Sequence, residues 1–300
     1  MSAADTIRRL VSAVPTFEAR HAFELAGMLV GVKDVVRIVV DRAERDTAVA
    51  LLAELGVSVV PSHFALATNR ATSLGDRFMV HVDADDPRAE SFVLLVAREA
   101  GVARRASAVE SGGDNEALGS LYGYPPCCVE GYRCIADGED WVSRLLADHR
   151  LREPSPLPSF LANRIGSLFE GAGFLPDYFP CSLHCEGAVR LASGLRGAAL
   201  ACDLADLVAH ADAVLRRPIV VWGGLLIQPL DARSEGEMIR FDGAGALRFD
   251  WCPERPFAGT FLDQVGAVKA GDRGVTLLDR RGTVLAGGFD ATAQIVAFRE

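Results

Sequence analysis

The chain has 300 residues, of which 50% are apolar, 24% charged and 7% aromatic. Such a composition excludes wholesale disorder, and at the usual ~150 residues per domain it implies two domains that need no disulfide or metal merely to fold. The 31 basic and 40 acidic side chains leave a net charge of −9 without a basic block, which argues against a phosphate-neutralising nucleic-acid surface.

Residues 17–108 alternate between helical and extended patterns. A helix is predicted over 18–32, a strand over 35–40, and a helix over 42–55 that stops at Gly56. Strands follow at 57–60, closed by Pro61, and at 78–82. A third helix is predicted over 87–100, with Pro87 in its first turn and Gly101 past its end. Alternation of this kind suggests an α/β layer with some parallel strand pairing.

The middle third reads as helical over 115–122, 125–136, 139–150, 159–169, 182–195 and 199–216. From Pro218 onward strand signals dominate, over 219–226, 237–241, 246–249, 275–278, 284–286 and 294–298. Asp242-Gly243, Gly271-Asp272 and Arg281-Gly282 are candidate hairpin connections. The fold class is therefore an α/β N-terminal layer joined to a helical cysteine-bearing region, followed by a small, mainly antiparallel β domain. The expected divisions are 1–110, 111–217 (one unit with the first) and 218–300.

Seven cysteines are the main chemical clue. The N-terminus lacks a basic segment leading into an apolar run, and no apolar stretch is long enough to span a bilayer, so a cytoplasmic protein is expected. Thiols stay reduced there, and clustered cysteines point to metal binding or catalysis before disulfides. Two segments share one construction: Gly119-Ser-Leu-Tyr-Gly-Tyr-Pro-Pro-Cys-Cys-Val-Glu-Gly-Tyr132 and Phe174-Leu-Pro-Asp-Tyr-Phe-Pro-Cys-Ser-Leu-His-Cys-Glu-Gly-Ala188. In each, a Gly/aromatic turn leads into proline, then cysteine, then a helix. Ser182 is the expected cap of the second helix.

Cys127, Cys128, Cys181 and Cys185 thus fall at helix starts, where unpaired N–H groups favour thiolate. Several thiolates in one place repel unless a cation joins them, which makes all four candidate ligands of an iron–sulfur cluster, such as 4Fe–4S, or of zinc. Cys181 and Cys185 lie one helical turn apart and can point the same way. Cys127 and Cys128 would diverge by about 100° on a helix, so one of them could bind while the other packs. Cys134 lies too far along the helix to share an ion with Cys127, and Cys202 and Cys252 read as packing residues. Tyr122, Tyr124, Tyr178 and Phe179 would shield the site.

His184 offers a possible nitrogen ligand. Glu130, His184 and Glu186 are the candidate proton-transfer residues. Paired with Pro180 to Glu186, the stretch Leu121 to Glu130 resembles a family of uncharacterised prokaryotic domains marked by Gly-Tyr-Pro-x-Cys-Cys and Pro-Cys-Ser-x-x-Cys. The resemblance spans roughly residues 20–200. It implies that the two motifs form one site, and it implies no activity.

Other segments carry weaker signals. Asp83, Asp85 and Asp86 could hold Mg²⁺, although a capping Asp before Pro87 explains them as well. Gly112-Gly113-Asp114-Asn115 could receive an anion at a helix start. Arg104-Arg105 reads as surface, and Trp222 and Trp251 as strand-end packing. The common hydrolase motifs are absent. Three functions remain open at this point: an iron–sulfur enzyme acting on a small molecule, a thiol–disulfide redox protein, and a zinc-stabilised non-enzymatic binding module. No nucleic-acid or membrane partner is expected.

Overall fold

The computed structural model describes residues 2–68, 79–136, 145, 157–166, 173–175 and 180–222. Beyond these it describes 225–229, 233–235, 238–240, 246–250, 265–271, 274–279, 281, 283–288 and 294–296. The architecture is the expected one: an N-terminal α/β layer, a helical middle and antiparallel β structure toward the C-terminus. Among the described residues there are eight α-helices. They are α1 (Ala3–Ala13), α2 (Ala19–Val30), α3 (Arg45–Glu54), α4 (Ala100–Gly112), α5 (Asn115–Leu121), α6 (Pro126–Ala136), α7 (Glu186–Ala201) and α8 (Ala205–Leu215).

The N-terminal sheet holds β1 (Val35–Asp41), β2 (Ser58–Thr68), β3 (Met79–Asp83) and β4 (Ser91–Ala97) in the order β1-β4-β2-β3. Every pairing in it is antiparallel, which corrects the expected parallel component. The cause is β4. The run Ser-Phe-Val-Leu-Leu-Val-Ala was read within a helix over 87–100, yet it lies in the sheet and is buried on both faces. A continuous apolar run suits a strand covered on both sides as well as a buried helix, and periodicity cannot separate the two. The helix starts afterwards, at Ala100.

Alternation along β1 divides two cores. Val36, Ile38 and Val40 face a core shared with α1, α2 and α3, whereas Val35 faces Ala103 and Ala106 of α4. The N-terminal helix α1 was not anticipated, although Ser2 and Asp5 form a complete capping box at its start. Strand β2 runs past Pro61 to Thr68, with an irregularity between Pro61 and Ala65 that lets proline stand in the strand.

In the middle region the helix expected over 199–216 divides at Asp203, whose φ of 57° breaks the chain into α7 and α8. Of the helix expected over 159–169, the described part is a short 3₁₀ turn, Phe160–Ala162. The helix expected over 139–150 lies outside the described residues apart from Leu145. Helix α7 packs on α2 at small residues. An added Cβ at Gly27 would fall 2.3 Å from Leu195 Cδ2, and one at Gly194 would fall 3.2 Å from Val32 Cγ1.

The C-terminal strands are β5 (Ile219–Trp222), β6 (Leu225–Pro229), β7 (Arg233–Glu235), β8 (Met238–Arg240), β9 (Ala246–Asp250), β10 (Val265–Gly271), β11 (Gly274–Asp279), β12 (Val284–Gly288) and β13 (Gln294–Val296). They form two antiparallel sheets, β12-β11-β10-β8-β7 and β13-β5-β6-β9. The single strand expected over 219–226 is a hairpin, with Trp222 opposite Leu225. Gly271 opposite Gly274 matches the expected Gly271-Asp272 connection. At the Arg281 turn, Asp279 accepts from the N–H groups of Arg281 and Thr283. Asp242-Gly243 lies outside the described residues, and the strands on either side of it, β8 and β9, belong to different sheets. Strand β8 is flanked by β7 and β10, so β9 pairs with β6 in the other sheet. Among the described residues no helix is long and apolar enough to cross a membrane.

One buried ion pair links α2 to the approach of the cysteine motif. Lys33 donates to Glu24, their side chains are 0% and 4% exposed, and Lys33 Nζ lies 5.5 Å from the Tyr124 ring centroid. Removing one partner of such a pair leaves a buried charge, whereas replacing both with apolar groups need not destabilise. We therefore expect Glu24→Leu to cost about 3–5 kcal/mol in chemical denaturation, and Glu24→Leu with Lys33→Met to recover most of it. A single-variant loss under about 1 kcal/mol, the range of exposed pairs, would contradict this.

Candidate metal centre

The α5–α6 connection aims the first motif. Gly123 has a φ of 73°, a left-handed turn that a side chain would strain. It lets the Tyr124 N–H donate to the Gly119 carbonyl at 2.9 Å. Pro125 then precedes α6, and its carbonyl accepts from Cys128 N–H at 2.8 Å and Val129 N–H at 3.0 Å. Pro126 occupies the first helical position, where its missing N–H costs nothing.

The second motif reaches the same place differently from the expected cap. Helix α7 starts at Glu186, and Cys185 rather than Ser182 is its N-cap, with Sγ accepting from Ala188 N–H at 3.4 Å. Ser182 instead accepts from His184 N–H within the preceding turn, and Cys185 N–H donates to the Ser182 carbonyl at 3.2 Å. Cys181 therefore lies in a turn, not one helical turn below Cys185.

The two helix starts meet. The Sγ atoms of Cys127, Cys128, Cys181 and Cys185 all lie within 4.8 Å of one another. Cys185 Sγ is 3.6 Å from Cys127 Sγ and 3.4 Å from Cys128 Sγ. All four are free thiols. Cys127 is exposed, Cys181 half-buried, and Cys128 and Cys185 buried. Both members of the adjacent pair join the cluster, so the expected split into one ligand and one packing residue does not hold. Helical side chains lean toward the N-terminus, and two neighbours in the first turn converge beyond the helix end even though they diverge around its axis.

Close approach is permitted by Gly187. A Cβ there would fall 2.7 Å from Pro125 Cβ and 3.8 Å from Cys127 Sγ. Four thiols this close titrate as a set. Hydrogen bonds from Cys128 and Cys181, together with the Ala188 N–H, pull Cys185 down to about 2. Cys128 is pushed far up by hydrogen bonding to Cys181 and Cys185 and by burial. For Cys181 the hydrogen bond with Cys128 lowers the value, but hydrogen bonding to Cys185, burial and neighbouring thiolate charge outweigh it and push it up to about 12. Without a cation the site thus favours one thiolate at Cys185, hydrogen-bonded by neighbouring thiols.

Other expected candidates stand apart. Among the described residues these four cysteines form the one His/Cys/Asp/Glu group able to hold a metal, and His184 is not in it. His184 and Glu186 line a separate groove with Arg190, while the exposed Glu130 pairs with Arg133 at 3.3 Å. Cys202 is half-buried at the end of α7 and packs against the core. The side chain of Cys134, and Tyr178, Phe179, Trp251 and Cys252 altogether, lie outside the described residues.

Asp86 is held by Arg88, whose side chain and N–H draw its carboxyl down to about 2. A turn and strand β4, not a helix, follow it. Asp114 caps α5 by accepting from the Glu116 and Ala117 N–H groups, so those two donors are taken by the protein's own carboxylate. Arg104 and Arg105 are exposed.

Sequence reasoning missed a cleft of about 340 Å³ beside the cysteines. It is lined by Arg37, Glu110, Tyr122, Tyr124, Cys128 and Tyr132, among others. No spacing marks it, because its residues come from β1, β3, α4, α5, α6 and the connections between α4, α5 and α6, which only the tertiary fold assembles. Comparison with protein-family models, curated proteins and solved structures finds no significant match to any of them.

In metal-free protein at neutral pH we expect about one thiolate per native chain, against little in the unfolded chain, where cysteine titrates near about 8.5. The sign follows from linkage. The Cys185 contribution to stability is complete above the unfolded value and lost as pH falls toward about 2, whereas those of Cys128 and Cys181 are lost as pH rises above the unfolded value. Thiolate ultraviolet absorbance checks this: the native excess should vanish in Cys185→Ser, and equal absorbance in native and unfolded wild-type protein would contradict it.

Proposed function

We propose that this is a metal-binding protein of the reducing cytoplasm in which the four thiolates hold a single tetrahedral ion, with zinc as the best fit. The observation that carries the reading is the sulfur spacing. Zinc–thiolate bonds of about 2.3 Å place the corners of a tetrahedron about 3.8 Å apart. The distances of 3.4 and 3.6 Å, within a set no wider than 4.8 Å, suit that tetrahedron. In a four-iron cluster each thiolate serves a different iron, so its sulfurs stand wider apart. The iron–sulfur enzyme expected from the motifs is therefore the second reading, supported by the exposed Cys127 and the neighbouring Tyr124.

Four protein sulfurs complete a zinc shell and leave no open position, which is the pattern of a structural site. In this reading the ion clamps the start of α6 to the start of α7, and the chain acts as a zinc-stabilised binding module. The likeness of the two motifs to the Gly-Tyr-Pro-x-Cys-Cys family supports treating them as one site. A thiol–disulfide function needs two sulfurs and offers no reason for four to converge.

The test is anaerobic purification followed by analysis for zinc, iron and acid-labile sulfide. We expect about one zinc per chain, colourless protein, no sulfide, and a lowered melting temperature on chelation, since ion binding is coupled to folding. Iron with stoichiometric sulfide would replace this reading with the cluster. Protein without metal that reversibly loses two thiols to mild oxidant would favour the redox alternative.

A further inference from the structure

The cleft behind Cys128 is lined by two residues that each carry a buried polar atom with no hydrogen-bond partner among the described residues. Glu110 Oε1 accepts from Arg37 Nε at 2.7 Å, but its Oε2 has no hydrogen-bond partner among the described residues. The Tyr122 hydroxyl has none either. The two residues are 6% and 5% exposed, and both line the cleft. A buried donor or acceptor left unmade destabilises the fold, so such atoms call for an explanation outside the protein. The volume, about 340 Å³, falls in the range of small-molecule pockets.

The chemistry of these groups narrows the ligand. Glu110 Oε2 is a pure acceptor and asks for an N–H. Burial and the Glu110 charge keep Tyr122 protonated, so its O–H asks for an acceptor. Arg37 and Glu110 already balance one another's charge, and the other polar side chains of the lining include His81 and Asn115. Beyond that pair the lining offers a charged ligand no permanently charged side chain. The walls are aromatic: Tyr122 and Tyr124 have ring centroids 5.6 Å apart, and Tyr132 is partly exposed. Flat rings suit such walls.

We propose that this cleft binds a small, uncharged, planar molecule that presents both an N–H and a carbonyl, a cyclic amide of the purine or pyrimidine type. Its N–H donates to Glu110 Oε2, and its carbonyl accepts from Tyr122. The proposal concerns the cleft and not the identity of the ion, although Cys128 forms part of the wall and would link occupancy to the metal centre.

The test is calorimetric titration of the metal-loaded full chain with hypoxanthine and uracil, with 1,3-dimethyluracil, benzoate and benzamidine as controls. Saturable binding of hypoxanthine or uracil, about one per chain, is expected, with dimethyluracil silent because it lacks the N–H. Tyr122→Phe removes a hydroxyl that has no partner among the described residues. It should weaken that binding about tenfold while leaving the melting temperature of the unliganded protein equal or higher, a combination that a merely structural role would not produce. Absence of saturable binding by either amide, unchanged affinity in Tyr122→Phe, or tighter binding of benzoate or benzamidine would overturn the proposal. Metal content is measured on the same samples. Full metal with no amide binding contradicts the cleft alone, and amide binding by protein that holds no metal supports the cleft while contradicting the metal reading.

Discussion

Four thiols within 4.8 Å of one another are an electrostatic problem that the protein cannot solve with its own side chains. Ionising one is easy, because Cys185 caps α7 and receives hydrogen bonds from its neighbours. Ionising the rest brings like charges together in a half-buried site, which drives Cys128 and Cys181 the other way. A cation reverses this, turning mutual repulsion into four favourable bonds. The local architecture is arranged around that point: Pro126 starts one helix, Cys185 caps the other, and Gly187 removes the side chain that would hold them apart.

The surroundings explain why these two helix starts stay in register. Helix α7 lies against α2 through Gly27 and Gly194, where side chains would intrude. Helix α2 carries Glu24, whose ion pair with Lys33 sits beneath Tyr124 at the entrance to α6. Cys128 and Cys185 are themselves members of the core shared with α2 and the sheet. The centre is thus part of the packed interior and also one wall of a polar cleft. A change at the sulfurs has a short route to Tyr122 and Glu110.

Much of the site was legible in the sequence because its elements are local. Proline followed by cysteine at a helix start carries its own physical reason at Cys127, and the recurrence of the pattern pointed to a shared centre. In the second motif, however, Cys181 lies in a turn and Cys185 makes the helix start. What was not legible is tertiary. The adjacent pair Cys127 and Cys128 was expected to diverge, because a helical wheel ignores the tilt of side chains toward the N-terminus. The buried strand β4 was taken for helix because a continuous apolar run has no period to read, and with it went the antiparallel order of the sheet. The cleft left no trace, since Arg37 and Glu110 lie 73 residues apart in the chain and no motif links them.

X-ray absorption at the edge of the metal bound in the purified protein addresses the central claim most directly, because it reports the atoms around the ion. If the two motifs share one tetrahedral centre, the first shell is sulfur alone, with about four neighbours near about 2.3 Å and no second metal nearby. A shell containing nitrogen or oxygen would show that the four cysteines do not act together. Metal–metal scattering would show that they hold a cluster instead.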